Sequence, residues 1–106
     1  MHNIAVQIVR LVEGGYPGWV ECELVDAAGR LHILHDKVPI FTVADLHVDT
    51  KYPAPGFVRC EIVARSQNGK GQQLVRVSTV KPDGIESTAG LSEFTVLASV
   101  VSSSRD

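Results

Sequence analysis

The stretch Pro17–Val25 reads PGWVECELV, and thirty-eight positions later Pro55–Val63 reads PGFVRCEIV. Apolar and polar residues alternate in both, which is typical of a strand with one buried and one solvent-facing side. When the copies are aligned, Cys22 matches Cys60 and the neighbouring residues agree in size and polarity. Each copy is followed by a turn and a returning strand, so the repeated unit is a hairpin. Chance combined with shared β propensity is the alternative explanation.

The rest of the chain also reads as strands separated by turns. Asp26–Gly29 and Asn68–Gly69 are predicted to turn the two hairpins. Pro53 and Pro55 exclude a central strand where they stand. Helix is expected nowhere beyond one short turn within Val43–Val48. The pattern predicts strands at Ile4–Val12, Trp19–Val25, Arg30–Asp36, Phe57–Ala64, Gln72–Val80 and Glu93–Val101, with a further one at Ile40–Val43.

Two hairpins that each have one apolar face can cover one another and share a core. The sequence therefore predicts an all-β fold, a single-domain antiparallel barrel or curled sandwich of six or seven strands built around the two similar hairpins. Barrels and curled sandwiches also hide strand edges that would otherwise invite aggregation. One domain is expected over residues 1–101, followed by a flexible C-terminal tail at residues 102–106.

Composition sets limits on function. Apolar residues make up 44% and charged residues 21% of the chain, as in ordinary soluble globular proteins. Ten Lys and Arg against twelve Asp and Glu give a net charge of −2, too mild to predict nucleic-acid binding. Polar residues interrupt every apolar run, so neither an export signal nor a membrane span is predicted. A cytoplasmic location is the expectation, although a leader removed before residue 1 would not show in this sequence.

Cys22 and Cys60 fall on the predicted inward face, where a free cysteine behaves as a small hydrophobic residue. Positions related by the repeat can approach one another, which leaves open a disulfide between the hairpins in an oxidising compartment. Metal binding or nucleophilic chemistry is the third interpretation. No nucleotide-binding, nucleophile-elbow or zinc-protease motif is present in the sequence, so the chain is predicted to be non-enzymatic and to need no cofactor.

Histidines give the strongest case for an alternative function. In a strand, His32 and His35 point to opposite faces, which makes them poor joint ligands for one ion. His47, with Asp49 nearby in sequence, is the third candidate. The alternative to a binding protein is a small-molecule or metal-binding barrel, or an enzyme built on it, with His32, His35 and His47 near its mouth.

Two irregular segments, His47–Pro55 and Pro82–Gly90, are longer than hairpin geometry requires, and such loops on a β scaffold often carry binding residues. Within them, Tyr52 and Ile85 are either anchors for a protein partner or plugs that close the barrel ends. The predicted binding residues are these two side chains and four outward carboxylates, namely Asp49, Tyr52, Ile85, Glu86, Glu21 and Glu23.

The phrases PGWVECELVDAAGR, YPAPGFVRCEIV and PDGIESTAGLSEFTVL resemble small bacterial all-β proteins of uncharacterised function, some of which are similar to immunity proteins of toxin systems. The resemblance implies a bacterial cytoplasm, no enzymatic role and a protein ligand. The resulting prediction is a protein-interaction module. The resemblance implies an immunity-type protein that occludes a basic toxin stoichiometrically, and self-association through a strand edge is a further expectation.

Overall fold

The computed structural model describes residues 1–13, 18–46 and 49–103, with the side chain of Glu13 left out. The elements in chain order are β1 (His2–Glu13), β2 (Trp19–Val25), β3 (Leu31–Lys37), α1 (Val38–Phe41), β4 (Ala54–Gln67), β5 (Gln73–Ser78), β6 (Glu93–Leu97), a 3₁₀ turn (Ala98–Val100) and β7 (Val101–Ser103). The predicted all-β fold is confirmed.

All seven strands join one antiparallel sheet in the order β3-β2-β1-β4-β5-β6. β1 pairs with β4 along one edge, and along the other it pairs first with β7 and then with β2. β4 is long enough to change partners, because Ala54–Cys60 pair with β1 whereas Glu61–Gln67 pair with β5. Register shifts at Val9 in β1 and Val63 in β4 mark bulges, which increase the local twist and help the sheet to curl.

The two hairpins of the repeated sequence are β2–β3 and β4–β5, and they flank β1 in the same sheet. Their burial alternates alike, since Val20 and Val58 are both 0% exposed, as are Cys22 and Cys60. Both hairpins contribute to a single core, as predicted, but they lie on either side of β1 in one sheet and do not cover one another. The fully or largely buried apolar side chains are Ile4, Val6, Ile8, Val20, Cys22, Leu24, Leu34, Phe41, Val58, Cys60, Val75, Val77, Ile85, Phe94 and Val96.

The disulfide that the sequence left open requires Cys22 and Cys60 to lie close together, and they do not. Cys22 is opposite Ile8 and Cys60 is opposite His2, on the two different edges of β1. Six positions of β1 therefore separate them, or roughly 20 Å at the rise of a strand. A disulfide needs Cα atoms within about 7 Å. Both cysteines are free, so the predicted alternative of a disulfide between the hairpins is wrong.

Three local predictions also fail. Ile40–Val43 is not a strand, because the chain turns through α1, where Pro39 occupies the first turn and Phe41 enters the core. Val43–Leu46 form no helical turn, and residues 47 and 48 lie outside the described part. Pro55 does stand inside a strand, but it is paired with Gln7 in the half of β4 that has β1 as its partner. Its missing N–H is tolerated there, as on an edge strand.

The C-terminal strand differs from the single strand predicted over Glu93–Val101. One 3₁₀ turn separates β6 from β7, and the short β7 pairs with the start of β1. Ser102 and Ser103, which were assigned to the tail, are the last two residues of β7. Residues 104–106 lie outside the described part.

Candidate functional site

The loop between β5 and β6, Thr79–Ser92, is called the β5–β6 loop below. It is much longer than a hairpin needs, and loops of that length without regular structure are usually functional or disordered. Hydrogen bonds hold this one at several points. Thr79 is 0% exposed, its hydroxyl donates to the Ile85 carbonyl at 2.7 Å, and the Ile85 N–H donates to the Thr79 carbonyl at 3.0 Å. These bonds fix the first half of the loop on the core.

Ser87 holds the second half of the loop. Its N–H donates to the Leu91 carbonyl at 2.7 Å, and its hydroxyl accepts the Leu91 N–H at 3.1 Å. Gly90, with φ of +82°, completes this turn by donating to the Ser87 carbonyl at 2.8 Å. The Thr88 N–H then reaches the Ile33 carbonyl on β3 at 2.8 Å. The loop is therefore joined to the edge of the sheet opposite to β6.

An ion pair connects the loop to β4. The Arg59 guanidinium donates to both carboxylate oxygens of Asp83, with Nη2 2.7 Å from Oδ1 and Nε 3.1 Å from Oδ2. This bidentate geometry is the strongest form of an arginine–carboxylate contact. Core, β3 and β4 thus each hold one part of the loop.

Between these anchors the loop exposes a mixed apolar and charged surface, which includes Lys81. Val80 is 53% exposed and Leu91 46% exposed, and the carboxylate of Glu86 is also on the surface. Exposed apolar side chains beside a charge are typical of the polar-rimmed surfaces that proteins use to bind one another. A loop that is already ordered loses little conformational freedom when it binds.

Ile85, a predicted contact residue, is 1% exposed and belongs to the core. It therefore plugs the structure, which was the other interpretation of this residue. Tyr52 is half-buried and packs against the core, and Asp49 is exposed. Of the predicted loop residues, Glu86 and Asp49 are the ones that reach solvent.

Glu21 and Glu23 lie elsewhere, on the outer side of β2. Glu21 accepts hydrogen bonds from Arg10 Nη2 at 3.0 Å and from His35 Nε2 at 2.9 Å. The bond from His35 and then the bond from Arg10 lower the pKa of Glu21 below its ordinary value. Glu23 is half-buried and stands beside Gln7 of β1 and Ile33 of β3.

The two described histidines of the alternative site, His32 and His35, are not brought together. His32 is on the inner side of β3, where its Nε2 lies 2.9 Å from Asp26 Oδ2 and its ring meets the ring of Phe94 edge-on at 4.9 Å. His35 is on the outer side with Glu21, and His47 lies outside the described residues. Among residues 1–13, 18–46 and 49–103, no three His, Cys, Asp or Glu side chains are placed to hold a metal ion.

An open depression of about 290 Å³ is lined by Gln72, Gln73, Leu97, Ala98 and Ser99. None of these five side chains titrates near neutral pH, and none is a residue predicted to bind a ligand. Burial raises the pKa of Cys22 to about 12 and that of Cys60 to about 11, so neither thiol is a reactive nucleophile in the folded chain.

Sequence reasoning missed one surface feature. Large apolar side chains stand on the outer side of the sheet, where the alternation predicted polar residues, among them Trp19 at 38% exposed, Val25 at 58%, Leu31 at 52% and Phe57 at 49%. The signal was present in the sequence, because Trp19 and Phe57 occupy the same outward position in the two copies of the repeat.

Within the described residues, no helix has the length and apolar character that crossing a membrane requires. Comparison of the chain with protein-family models, with curated proteins and with solved structures finds no match.

Proposed function

We propose that the chain is a non-enzymatic protein-interaction module that binds a partner protein through the β5–β6 loop. The observation that supports this proposal is the combination of firm anchoring and exposure. The loop is held by the Thr79 and Ser87 hydrogen bonds and by the Arg59–Asp83 ion pair, yet it leaves Val80, Leu91 and Glu86 on the surface.

The chemistry of the loop indicates the chemistry of the partner. Val80 and Leu91 fit apolar side chains, and Glu86 fits a lysine or arginine beside them. Asp49 supplies a further exposed carboxylate, and exposed charges of one sign speed the encounter with a partner of the opposite sign. A basic toxin in a bacterial cytoplasm, occluded stoichiometrically by an immunity-type protein, is the partner class that we propose.

The test compares proteins captured by the immobilised wild-type chain with those captured by a Glu86→Lys/Leu91→Ser variant. Val43→Ser is the matched control, because Val43 is fully exposed but lies outside the loop. We expect a stoichiometric partner from cells that carry the gene to remain on the wild type and the control and to be lost from the loop variant. Identical retention on all three proteins would refute the role of the loop.

Association kinetics test the electrostatic part. Glu86→Lys alone should slow association with that partner several-fold at low ionic strength, and the difference should shrink as salt screens the charges. An association rate that ignores both the substitution and the salt concentration would show that Glu86 does not steer the encounter.

A further inference from the structure

On the outer side of the sheet, residues of β1 lie beside residues of β2 in pairs that could bind the same pairs of a second copy. The registered pairs are Gln7 with Glu23 and Arg10 with Glu21. Arg10 and Glu21 form an ion pair at 3.0 Å, with side-chain exposures of 58% and 18%. A positive and a negative group that stand side by side form a self-complementary pattern, because a half-turn about an axis between them exchanges their places.

Consider a second copy of the chain facing this side of the sheet, related by a two-fold axis that runs along the strands between β1 and β2. The axis places Arg10 opposite Glu21 of the second copy and Glu21 opposite its Arg10. The four charges then alternate in sign. The same operation places Glu23 opposite Gln7 of the second copy, where the amide can donate to the carboxylate.

The same two-fold axis also brings apolar residues of the two copies opposite one another. Val25 is registered with Leu31 of β3, and Ala5 is registered with Phe57 of β4, all on the outer side. The β1–β2 pairing ends at Gln7 and Glu23, and extending its register by two positions puts Val25 level with Ala5. The axis therefore places Val25 opposite Ala5 of the second copy, and Leu31 opposite its Phe57. The exposed fractions of 58%, 52% and 49% for Val25, Leu31 and Phe57 leave apolar area to be buried there.

The two-fold axis perpendicular to the strands does not match in this way. A two-fold axis that crosses the strands at the level of Gln7 and Glu23 would bring Val25 against Glu21 of the second copy. That arrangement buries the Arg10–Glu21 ion pair against an apolar side chain, and removing an ion pair from water is costly. The axis between β1 and β2 is therefore the orientation that agrees with both the charges and the apolar positions.

We infer that the chain associates with a second copy of itself through the outer side of β1–β4, about a two-fold axis parallel to β1 and β2. This dimer goes beyond the proposed function and uses a surface other than the β5–β6 loop. The interface is isologous, with the outer side of one sheet facing the outer side of the other.

The experiment measures the molar mass of the full chain by sedimentation equilibrium over a wide concentration range. Wild type should move from monomer towards twice that mass as concentration rises. Arg10→Glu and Glu21→Arg should each shift the association to at least about tenfold higher concentration, because like charges then face each other across the axis. Arg76→Glu is the matched control, since it alters an exposed ion pair with Glu93 on the other part of the sheet and should leave the association unchanged.

Mixing the two charge variants is the decisive experiment. An equimolar mixture of the Arg10→Glu and Glu21→Arg variants should associate as strongly as wild type, because two acidic groups on one chain then face two basic groups on the other. Loss of the ion pair within one chain cannot be repaired by adding a second variant. Restoration therefore reports contact between copies.

Val25→Lys tests the same interface without changing the ion pair, so it remains informative if a charge variant fails to fold. Val25 is well exposed, and its replacement leaves the core intact. This variant should also weaken the association. Trp19 is the single tryptophan and stands on the same outer side, so its emission provides a second readout of dimer formation.

A wild type that stays monomeric at every concentration would overturn the inference. So would single variants that associate like wild type, a mixture that does not recover, or a Val25→Lys chain with unchanged association. The loop variant Glu86→Lys/Leu91→Ser should still dimerise, and the dimer variants should still capture the partner. Failure of this inference is therefore distinguishable from failure of the proposed function.

Discussion

The Asp26 carboxylate forms several hydrogen bonds that hold the turn between β2 and β3. Its Oδ1 accepts the N–H groups of Ala28 and Arg30, both at 2.9 Å, and its Oδ2 is bonded to His32. Burial alone would raise the pKa of Asp26. The hydrogen bonds from His32 and from the Arg30 and Ala28 backbone outweigh burial and leave the pKa below its ordinary value of 3.8.

These contacts predict how stability depends on pH. Asp26 and Glu21 have lower pKa values in the folded chain than in the unfolded chain. Their contribution is therefore fully present above the ordinary values of 3.8 and 4.5, and it is lost as pH falls through the lowered folded-state values. The urea midpoint should decrease over that acid range and decrease less in an Asp26→Asn/Glu21→Gln chain.

Asp45→Asn is the control, because Asp45 is an exposed carboxylate, and its acid profile should follow the wild type. A double variant whose midpoint falls as steeply as that of wild type would show that these two carboxylates are not the source of the acid sensitivity.

The sequence predicted which side chains point inward wherever the two-residue alternation held, and it predicted this less well in the loops. The inward positions of Cys22 and Cys60 follow from the alternation, and both are buried. Ile85 and Tyr52 left two interpretations open, because a loop has no periodicity that tells the inner side from the outer side. The bonds of Thr79 that fix Ile85 join residues within an irregular segment, where no sequence pattern marks them.

At the scale of elements, β4 is the strand that organises the sheet, and Gly56 is its tightest point. A Cβ at this position would lie 2.9 Å from both Cγ1 and Cδ1 of Ile8 on β1, and 3.1 Å from the backbone oxygen of Phe41 in α1. Strand and helix approach each other closely because this residue has no side chain.

Gly56→Ala should therefore lower the free energy of unfolding by about 1–3 kcal/mol, the usual cost of overpacking a core. Gly69→Ala is the matched control, because a Cβ there has no heavy atom within 4 Å and the residue is not among the glycines with positive φ. Urea unfolding should find the control within about 0.5 kcal/mol of wild type or slightly more stable. Equal stability of the two variants would contradict the packing argument.

Elements were predicted well where hairpins have local signals. Asp26–Gly29 and Asn68–Gly69 turn where expected, and β2 covers the predicted residues Trp19–Val25. The failures at Ile40–Val43 and at Pro55 have a common cause. The helical turn α1 and the start of β4 depend on contacts with distant parts of the chain, which local propensity does not contain.

At the scale of the whole molecule, the curled sheet closes through a few contacts between its two edge regions. The Ala27 N–H donates to the Thr95 carbonyl of β6 at 2.9 Å, and Thr88 of the β5–β6 loop donates to Ile33 of β3. The loop is therefore both the proposed binding surface and part of the closure. Sequence indicated a barrel or curled sandwich, but the strand order follows from long-range pairing with β1 and could not be derived.

Thr79→Val tests this closure, because valine keeps the shape of the side chain and removes the hydroxyl donor to the Ile85 and Ser92 carbonyls. We expect a loss of about 1–3 kcal/mol, as a buried acceptor loses its donor. Cleavage within the β5–β6 loop under limited proteolysis should also become faster. Thr95→Val, on an exposed position of β6, is the control and should change neither measurement. Unchanged stability and unchanged cleavage in Thr79→Val would argue against the role of the hydroxyl.

The pairing of β7 with the start of β1 has a practical consequence for engineering. His2 stands directly opposite Ser103, so the beginning and the end of the described chain run side by side. A short flexible linker between them would close the backbone into a ring with little strain, and new ends can then be opened at the exposed Gly69–Lys70 turn. Such a circular permutant would keep every strand pair while moving both ends to the far tip of the β4–β5 hairpin.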